Sequence, residues 1–273
     1  MIVVELRKLA RRPRTWATLV LLDGLPVLVA VLLKITKLGP RPGQGPTFLA
    51  AVLSDGALFP AAALAIVLPL FLPIAVSVIA GDAIAGEAQA GTLRYILTRP
   101  VGRTRLLTAK LVSIWAFVVV GVLLVAGTGY VVGRALFGIP PPGAPTVATT
   151  VSGTPLTTGQ IALRTFLAIG YVTLSMLGVA AMGLFLSTVT DSPLAAALGA
   201  MALLISSSLL LTLDAARALQ PYLPTRYWLA FTDLFRDPIL WRNVERGVLL
   251  QGVYVVVLLG AAWANFTSKD ITS

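Results

Sequence analysis

The sequence contains neither cysteine nor histidine among its 273 residues. Without cysteine the chain forms no disulfide and offers no thiol nucleophile, and without histidine it lacks the most common acid–base side chain. The two absences together exclude Cys/His zinc sites. Charged residues are also scarce, at 12% of the chain, about half the share found in average soluble domains.

Apolar residues dominate the composition: 57% of the residues are hydrophobic, and the mean hydropathy is +0.91. A water-soluble domain of this length could not bury so much apolar surface, so the composition indicates a membrane protein. The net charge of +10 suits basic residues beside membrane spans, which fix topology and meet anionic lipid headgroups. We therefore predict membrane lipids as partners and no nucleic acid.

Six segments are long and apolar enough to cross a bilayer, which takes about 20 residues each. They lie at 15–35, 57–80, 108–133, 160–187, 193–213 and 247–266. We predict an all-α membrane protein with one transmembrane domain over 1–273. In the third span, Gly129 and Gly133 form a G-x-x-x-G pattern suited to close helix packing.

The residues before the first span predict an amphipathic elbow helix at 1–13. Apolar side chains share one face and charged side chains the other, which is typical of a helix lying in the membrane interface. Pro13 is expected to end this helix. Its interfacial residues are Leu6, Arg7, Lys8, Arg11 and Arg12. A frayed basic tail is the alternative.

Basic residues also set the expected orientation. They crowd the start of the first span, so the N-terminus is predicted to be cytoplasmic, and six spans return the C-terminus to the same side. The connection after the second span is then cytoplasmic and rich in arginine, whereas 135–163 is external and uncharged. The aromatic loop at 214–246 disagrees, because it is predicted to be external yet holds five arginines. Its aromatic stripe predicts short amphipathic helices at the outer headgroups.

No nucleotide-binding or hydrolase motif occurs in the sequence, so we predict no enzyme activity and no catalytic or metal-binding residues. Asp23 is the one acid well inside a predicted span, where a charge is costly and usually partnered. A translocation route, a subunit contact, a structural pairing and hydration near the inner third of the bilayer are all open interpretations. Lys34 and Arg164 lie near span ends and are expected to extend toward the headgroups.

The polar connection between the second and third spans predicts a short helix lying flat at 82–98. Asp82, Glu87 and Arg94 would face the cytosol, and Pro100 would break the helix. From these residues alone, the connection is either a handle through which another protein moves the spans or a passive loop.

The same connection resembles the first cytoplasmic loop of type-2 ATP-binding-cassette (ABC) transporter permeases. That family shows an acidic residue, a Gly-Thr pair, leucines, an Arg-Pro break and a basic residue leading into the third span. The residues here that match are Glu87, Gly91, Thr92, Leu93, Arg94, Leu97, Arg99, Pro100, Arg103 and Lys110. The elbow, the six spans and the aromatic loop extend the resemblance over nearly the whole chain.

The resemblance implies the permease subunit of an exporter in the bacterial cell (inner or plasma) membrane. Two such subunits, identical or related, would sit on two copies of a cytosolic ABC ATPase that binds ATP and Mg, while this chain holds no cofactor. The segment 82–98 would be the coupling helix. The ATPase contacts that the resemblance implies are Asp82, Glu87, Gly91, Thr92, Leu93, Arg94, Arg99, Pro100 and Arg103. Alternating access would export a hydrophobic or amphipathic substrate, such as a drug, a lipid or a peptide.

Two other classes compete with this interpretation. An ion-gradient-driven secondary transporter would need intramembrane ion sites, for which Asp23 is the only good candidate. A membrane protein without transport function, such as an assembly factor or an intramembrane enzyme, ranks last, because the spans lack paired acids, histidines and a nucleophile–base pair.

Overall fold

The computed structural model describes residues 1–36, 55–91, 102–138 and 156–268, and all regular structure in these ranges is helical. Their α-helices are α1 (Ile2–Arg11), α2 (Pro13–Thr36), α3 (Phe59–Val67), α4 (Phe71–Gln89), α5 (Arg103–Phe137), α6 (Thr158–Val189), α7 (Pro193–Leu210) and α8 (Trp241–Ser268). Short 3-10 helices lie at Gly56–Leu58, Asp214–Ala216, Gln220–Tyr222 and Trp228–Phe235.

Six of these helices, α2 and α4 to α8, are long and apolar enough to cross a bilayer. This confirms the predicted all-α class with six membrane spans. Helices α4 and α6 are the most enclosed by the rest of the protein, whereas α2, α7 and α8 turn most of their apolar side chains outward. Lipid tails rather than water are the environment in which such outward-facing leucine and valine side chains are stable.

The ends of the spans differ from the hydropathy boundaries. Helix α5 covers Arg103–Phe137 instead of 108–133, and α8 begins at Trp241 instead of 247. Helix α7 instead ends early, at Leu210 rather than 213. A helix continues into polar flanks as long as its backbone hydrogen bonds are made, so hydropathy alone does not locate its ends.

The predicted second span at 57–80 is wrong as a single helix. Helix α3 ends at Val67 and α4 begins at Phe71. The physical reason is Pro69, which has no N–H to donate and whose ring clashes with the carbonyl of the preceding turn. Helix α3 is buried along nearly its whole length. The break that follows α3 nevertheless lies at the surface of the bundle, since Pro69, Leu70 and Phe71 are exposed.

The glycines of the G-x-x-x-G pattern lie where α5 packs closely against the start of α3. A Cβ on Gly133 would come within 3.0 Å of the Gly56 carbonyl and 2.6 Å from the Phe59 Cβ. A Cβ on Gly129 would lie 3.1 Å from the Cα of Pro60. The backbone N–H of Gly56 also donates to the Gly138 carbonyl at 3.0 Å. The predicted close packing of Gly129 and Gly133 is confirmed as a contact within the chain.

Residues 82–89, predicted as the start of a separate flat helix, are instead the last turns of α4. The reason is that the sequence from Ile79 to Gln89 contains no proline and is rich in alanine, the best helix former. The helix ends at Ala90, and Gly91 follows with φ +66°, the left-handed conformation that glycine commonly supplies just after a helix. The remainder of the predicted coupling helix lies outside the described residues.

Ser187 of α6 inserts its side chain into the hydrogen-bond ladder of α4. Its hydroxyl donates to the Gly81 carbonyl at 2.7 Å and accepts from the backbone N–H groups of Ile84 and Ala85 at 3.0 and 2.9 Å. A side chain inserted in this way is a recognised cause of local helix distortion. Helices α4 and α6 are therefore fastened by a polar contact directly before the charged end of α4.

Replacing Ser187 with alanine is expected to destabilise the protein by about 1–2 kcal/mol, because a buried carbonyl and two N–H groups lose a partner. The measurement is unfolding of the detergent-solubilised protein by sodium dodecyl sulfate, followed by tryptophan fluorescence. Ser175→Ala on the same helix is the control, since that buried hydroxyl only donates to the Tyr171 carbonyl of its own helix. Equal losses in the two variants would contradict this account.

The bundle has two distinct ends. At one end, which we call the terminal end, Arg103 at the start of α5 donates to the carbonyls of Phe266 and Thr267 at 3.2 and 2.9 Å. Asn265 donates to the Thr188 carbonyl there at 2.9 Å. Helix α1 and the end of α4 also meet at this end. Both ends of the described chain therefore lie on the same side of the bundle, as an even number of crossings requires.

The opposite end, which we call the loop end, carries the 3-10 helices between α7 and α8. The predicted aromatic stripe is seen there: Phe231, Leu234 and Phe235 are buried, and Tyr227 is half-buried beside them. The Tyr171 hydroxyl donates to the Tyr227 carbonyl at 2.6 Å, which fastens this segment to α6. The loop is thus packed onto the bundle.

Candidate functional site

Charged side chains are buried together at the terminal end, between α1, α4 and α5. Lys110 lies about two turns into α5, with 3% of its side chain exposed. Its ammonium group lies 2.8 Å from Glu5 Oε2 and donates a hydrogen bond to Glu87 Oε1. The Glu87 side chain is equally buried. Because an isolated charge is costly in such a place, each of these groups depends on its partner.

Basic residues of the N-terminal segment complete the group. Lys8 donates to the same Glu87 oxygen as Lys110 does, while Arg12 and Arg14 both donate to Asp82 Oδ2. We call the following residues the ion-pair cluster: Glu5, Lys8, Arg12, Arg14, Asp82, Glu87 and Lys110. A cavity of about 30 Å³ lies among these side chains, α4 and α5, which is room for about one water molecule.

The cluster connects three parts of the chain that are distant in sequence: the N-terminal segment, α4 and α5. Helix α1 and the start of α2 supply four of its members, the last turns of α4 supply two, and α5 supplies Lys110. Removing one partner of a buried pair typically costs 3–5 kcal/mol, about as much as a large core truncation. The N-terminal segment is therefore held firmly against both helices that border the polar connection at 90–102.

The structure places two predicted ATPase contacts inside the protein. The sequence interpretation expected Asp82 and Glu87 to face the cytosol, and this expectation is wrong. Their carboxylates are paired within the protein with Arg12, Arg14, Lys8 and Lys110. Gly91 forms the turn after α4, and Arg103 joins the start of α5 to the end of α8. The other predicted contacts lie outside the described residues: Thr92, Leu93, Arg94, Arg99 and Pro100.

The five predicted elbow residues divide between two surroundings. Lys8 and Arg12 turn toward the bundle and join the ion-pair cluster, whereas Arg7 and Arg11 are exposed and Leu6 is half-buried. The apolar side chains of Val3 and Val4 point away from the protein, at 68% and 66% exposed. Helix α1 therefore packs on the bundle through charged groups and leaves an apolar surface uncovered.

Asp23 lies near the middle of α2, far from the ion-pair cluster. It is half-buried, and the Thr128 hydroxyl of α5 donates a hydrogen bond to its Oδ1. The same hydroxyl lies 2.8 Å from the Leu124 carbonyl of its own helix. The acid inside the first predicted span thus meets a neutral partner.

Sequence reasoning missed the joint role of Glu5, Arg14 and Lys110. No sequence signal indicated this pairing, because Lys110 stands at the very start of the span predicted at 108–133, where a lysine is expected to reach the headgroups. The expectation that Arg164 extends toward the headgroups was also wrong. Its side chain is buried, with the residue 7% exposed, and it donates to the Arg236 carbonyl at 3.0 Å. Packing of the 3-10 segment over α6 covers it.

Within the described ranges, no group of three or more acidic side chains is placed to hold a metal ion. The ion-pair cluster also differs from a metal site in composition, because four of its seven members are basic. Its positive groups already neutralise the carboxylates. What the arrangement can do is hold helices together and transmit force between them.

Six apolar helices, with charges gathered in pairs at the terminal end, define a multi-pass α-helical membrane protein. Residues 47–272 match the family DUF2705, described as proteins of unknown function, and the chain belongs to this family. No curated protein matches the chain. The matched range includes Asp82, Glu87 and Lys110, whereas the N-terminal members of the ion-pair cluster precede it.

Proposed function

We propose that this chain is the permease subunit of a bacterial ABC transporter, which exports a hydrophobic or amphipathic substrate by alternating access. The observation that carries the proposal is the ion-pair cluster. It binds the N-terminal segment to both helices that border the polar connection, and that connection bears the permease-like residues from Gly91 to Arg103. A loop fixed in this way at both ends is suited to pass movement into the spans.

The entry and exit of the connection are both anchored. At the entry, Asp82 and Glu87 are paired with residues of α1, α2 and α5. At the exit, Arg103 is bonded to the end of α8. A displacement of the connection would therefore move α4, α5, α8 and α1 together, because each buried charge would otherwise lose its partner.

The energy source would be a separate cytosolic ATPase in two copies, which binds ATP and Mg. This chain has no phosphate-binding loop, and its connection lies at the end that holds both described chain ends. In this proposal the terminal end is cytoplasmic, and a second permease subunit, identical or related, completes the transporter in the cell membrane. Val3 and Val4 of the elbow helix α1 would contact lipid, which suits an interfacial helix.

Within this proposal, Asp82 and Glu87 are positioning residues. They hold the two borders of the connection in place through the cluster, and the direct ATPase contacts are assigned to the sequence motif around Thr92 and Arg94. Nucleotide can drive transport only if the ATPase binds the two conformations of the permease with different affinity. The anchored borders of the connection supply the means, since a closing movement of the ATPases would pass through them into α4 and α5.

The test is a charge reversal in the connection. Arg94→Glu is expected to lower vanadate-sensitive ATP hydrolysis that co-purifies with the tagged chain from its own membranes by at least about tenfold, because a like charge replaces a complementary one. Arg217→Glu is the matched control, since Arg217 is exposed at the loop end and pairs only with the exposed Asp214. Absence of co-purifying hydrolysis with the natural sequence, or full hydrolysis with Arg94→Glu, contradicts the proposal.

Asp23 favours a second candidate, an ion-gradient-driven secondary transporter. It is a carboxylate near the middle of a span with a hydroxyl as its hydrogen-bond partner, which is a feature of ion pathways. Transport that survives ATP depletion and collapses with an uncoupler would support this candidate over the ABC permease.

A further inference from the structure

Asp23 occupies an unusual place on the surface of the bundle. It lies near the middle of α2, away from the helix ends where water and headgroups are found. Its Oδ1 accepts a hydrogen bond from Thr128, and no other hydrogen bond or ion pair to it occurs among the described residues. The second carboxylate oxygen therefore has no protein partner there, although the side chain is partly exposed at mid-membrane depth.

The surface beside Asp23 is open. Gly24 follows it in α2, and Gly127 precedes Thr128 in α5; both glycines are exposed, and a Cβ on either would meet no other atom within 4 Å. The absence of two side chains leaves room for a group of another molecule next to the carboxylate. One turn above and below each glycine, the exposed side chains are apolar: Val20, Leu28, Leu123 and Val131.

An ionised carboxylate in the hydrocarbon region needs a positive charge beside it. The described spans do not supply one at that depth, because every Lys and Arg in them lies within about two turns of a helix end. A second copy of the chain would bring those same residues at the same depths. Neither the described spans nor a second copy of them supplies a counter-charge for an ionised Asp23, and a cation from another molecule would meet that need.

We propose that Asp23, Thr128, Gly24 and Gly127 form a binding site for the cationic group of an amphipathic organic molecule that partitions into the membrane. The carboxylate pairs with the cation, and the surrounding valine and leucine side chains contact the apolar body. The inference that lipophilic cations are a class of transported substrate rests on the proposed transport function. The binding site itself does not depend on it.

The experiment uses two probes of equal shape and opposite charge, tetraphenylphosphonium and tetraphenylborate. The full chain is reconstituted in nanodiscs of neutral lipid with no ATPase present, and binding is measured by tryptophan fluorescence. Asp23→Asn is expected to weaken phosphonium binding by at least about tenfold, because the charge pair is lost. It should leave borate binding unchanged or slightly tighter. Asparagine keeps the acceptor for Thr128, and unfolding by sodium dodecyl sulfate verifies that the variant is folded.

Asp214→Asn is the control, since it removes one negative charge from the exposed loop end, and it should change neither affinity. The inference is overturned if Asp23→Asn binds phosphonium as tightly as the natural sequence does. It is also overturned if the natural sequence shows no preference for the cation, as a proton held by Asp23 would produce. Because no ATPase is present in this experiment, either result leaves the permease proposal unaffected. Conversely, absence of co-purifying ATP hydrolysis would contradict the permease proposal and leave the cation-binding site unaffected.

Discussion

Replacing Lys110 with methionine is expected to destabilise the protein by about 3–5 kcal/mol, the usual cost of leaving a buried charge without its partner. Methionine is similar in length and fills the same space, so the loss isolates the charge. Glu87 would lose its buried cation and keep Lys8, whose side chain is 36% exposed, and Glu5 would lose the cation 2.8 Å away. The measurement is unfolding by sodium dodecyl sulfate in detergent.

A second variant separates this charge effect from lost packing. Lys110→Met combined with Glu87→Leu removes both members of the buried pair, and it should recover at least half of the lost stability, because an apolar pair of similar volume is often as stable as an ion pair. Arg217→Met breaks the exposed pair with Asp214 and should have no measurable effect. A double variant less stable than Lys110→Met alone would refute the electrostatic account of the cluster.

Gly133→Val is expected to cost at least about 3 kcal/mol, at the upper end of the range for overpacking. Its new Cβ would lie within 3.0 Å of the Gly56 carbonyl and 2.6 Å from the Phe59 Cβ. The first of these is backbone and the second is attached directly to it, so neither can rotate away. The start of α3 would have to separate from α5, which unfolding and limited proteolysis of the purified protein would both detect.

Gly127→Ala on the same helix is the comparison for Gly133→Val. No atom lies within 4 Å of its Cβ position, and alanine favours a helix over glycine by roughly 0.5–1 kcal/mol. The Gly127 variant should therefore be as stable as the natural sequence or slightly more stable. Similar losses at both positions would mean that helix propensity, rather than the contact with Gly56, governs the region.

Composition and hydropathy were enough to predict the class of the protein. Twenty or so apolar residues have few stable states other than a spanning helix in lipid, so the six spans were found. The break in the second span was missed because hydropathy averages over it. Pro69 carried the information, since a proline in the interior of a helix removes a backbone hydrogen bond.

The candidate site was predicted only in part. The acidic and basic residues at the two borders of the connection stand out in such an apolar chain, and the structure places them at one end. Their partners were not predictable, because Glu5 and Lys110 are far apart in sequence and come together only when α1 folds back onto α4 and α5. A periodic pattern reports which residues share a face, and it does not report what that face contacts.

The charged face of α1 contacts residues of α4 and α5 that are synthesised much later than α1 itself. Lys8 leaves the ribosome some eighty residues before Glu87, and Glu5 more than one hundred before Lys110. Throughout that interval the basic side chains of the N-terminal segment do not yet have Asp82 and Glu87 as partners. The ion pairs that hold α1 on the bundle can therefore form only after α4 and the start of α5 have been synthesised, which makes the docking of α1 a late step of biogenesis.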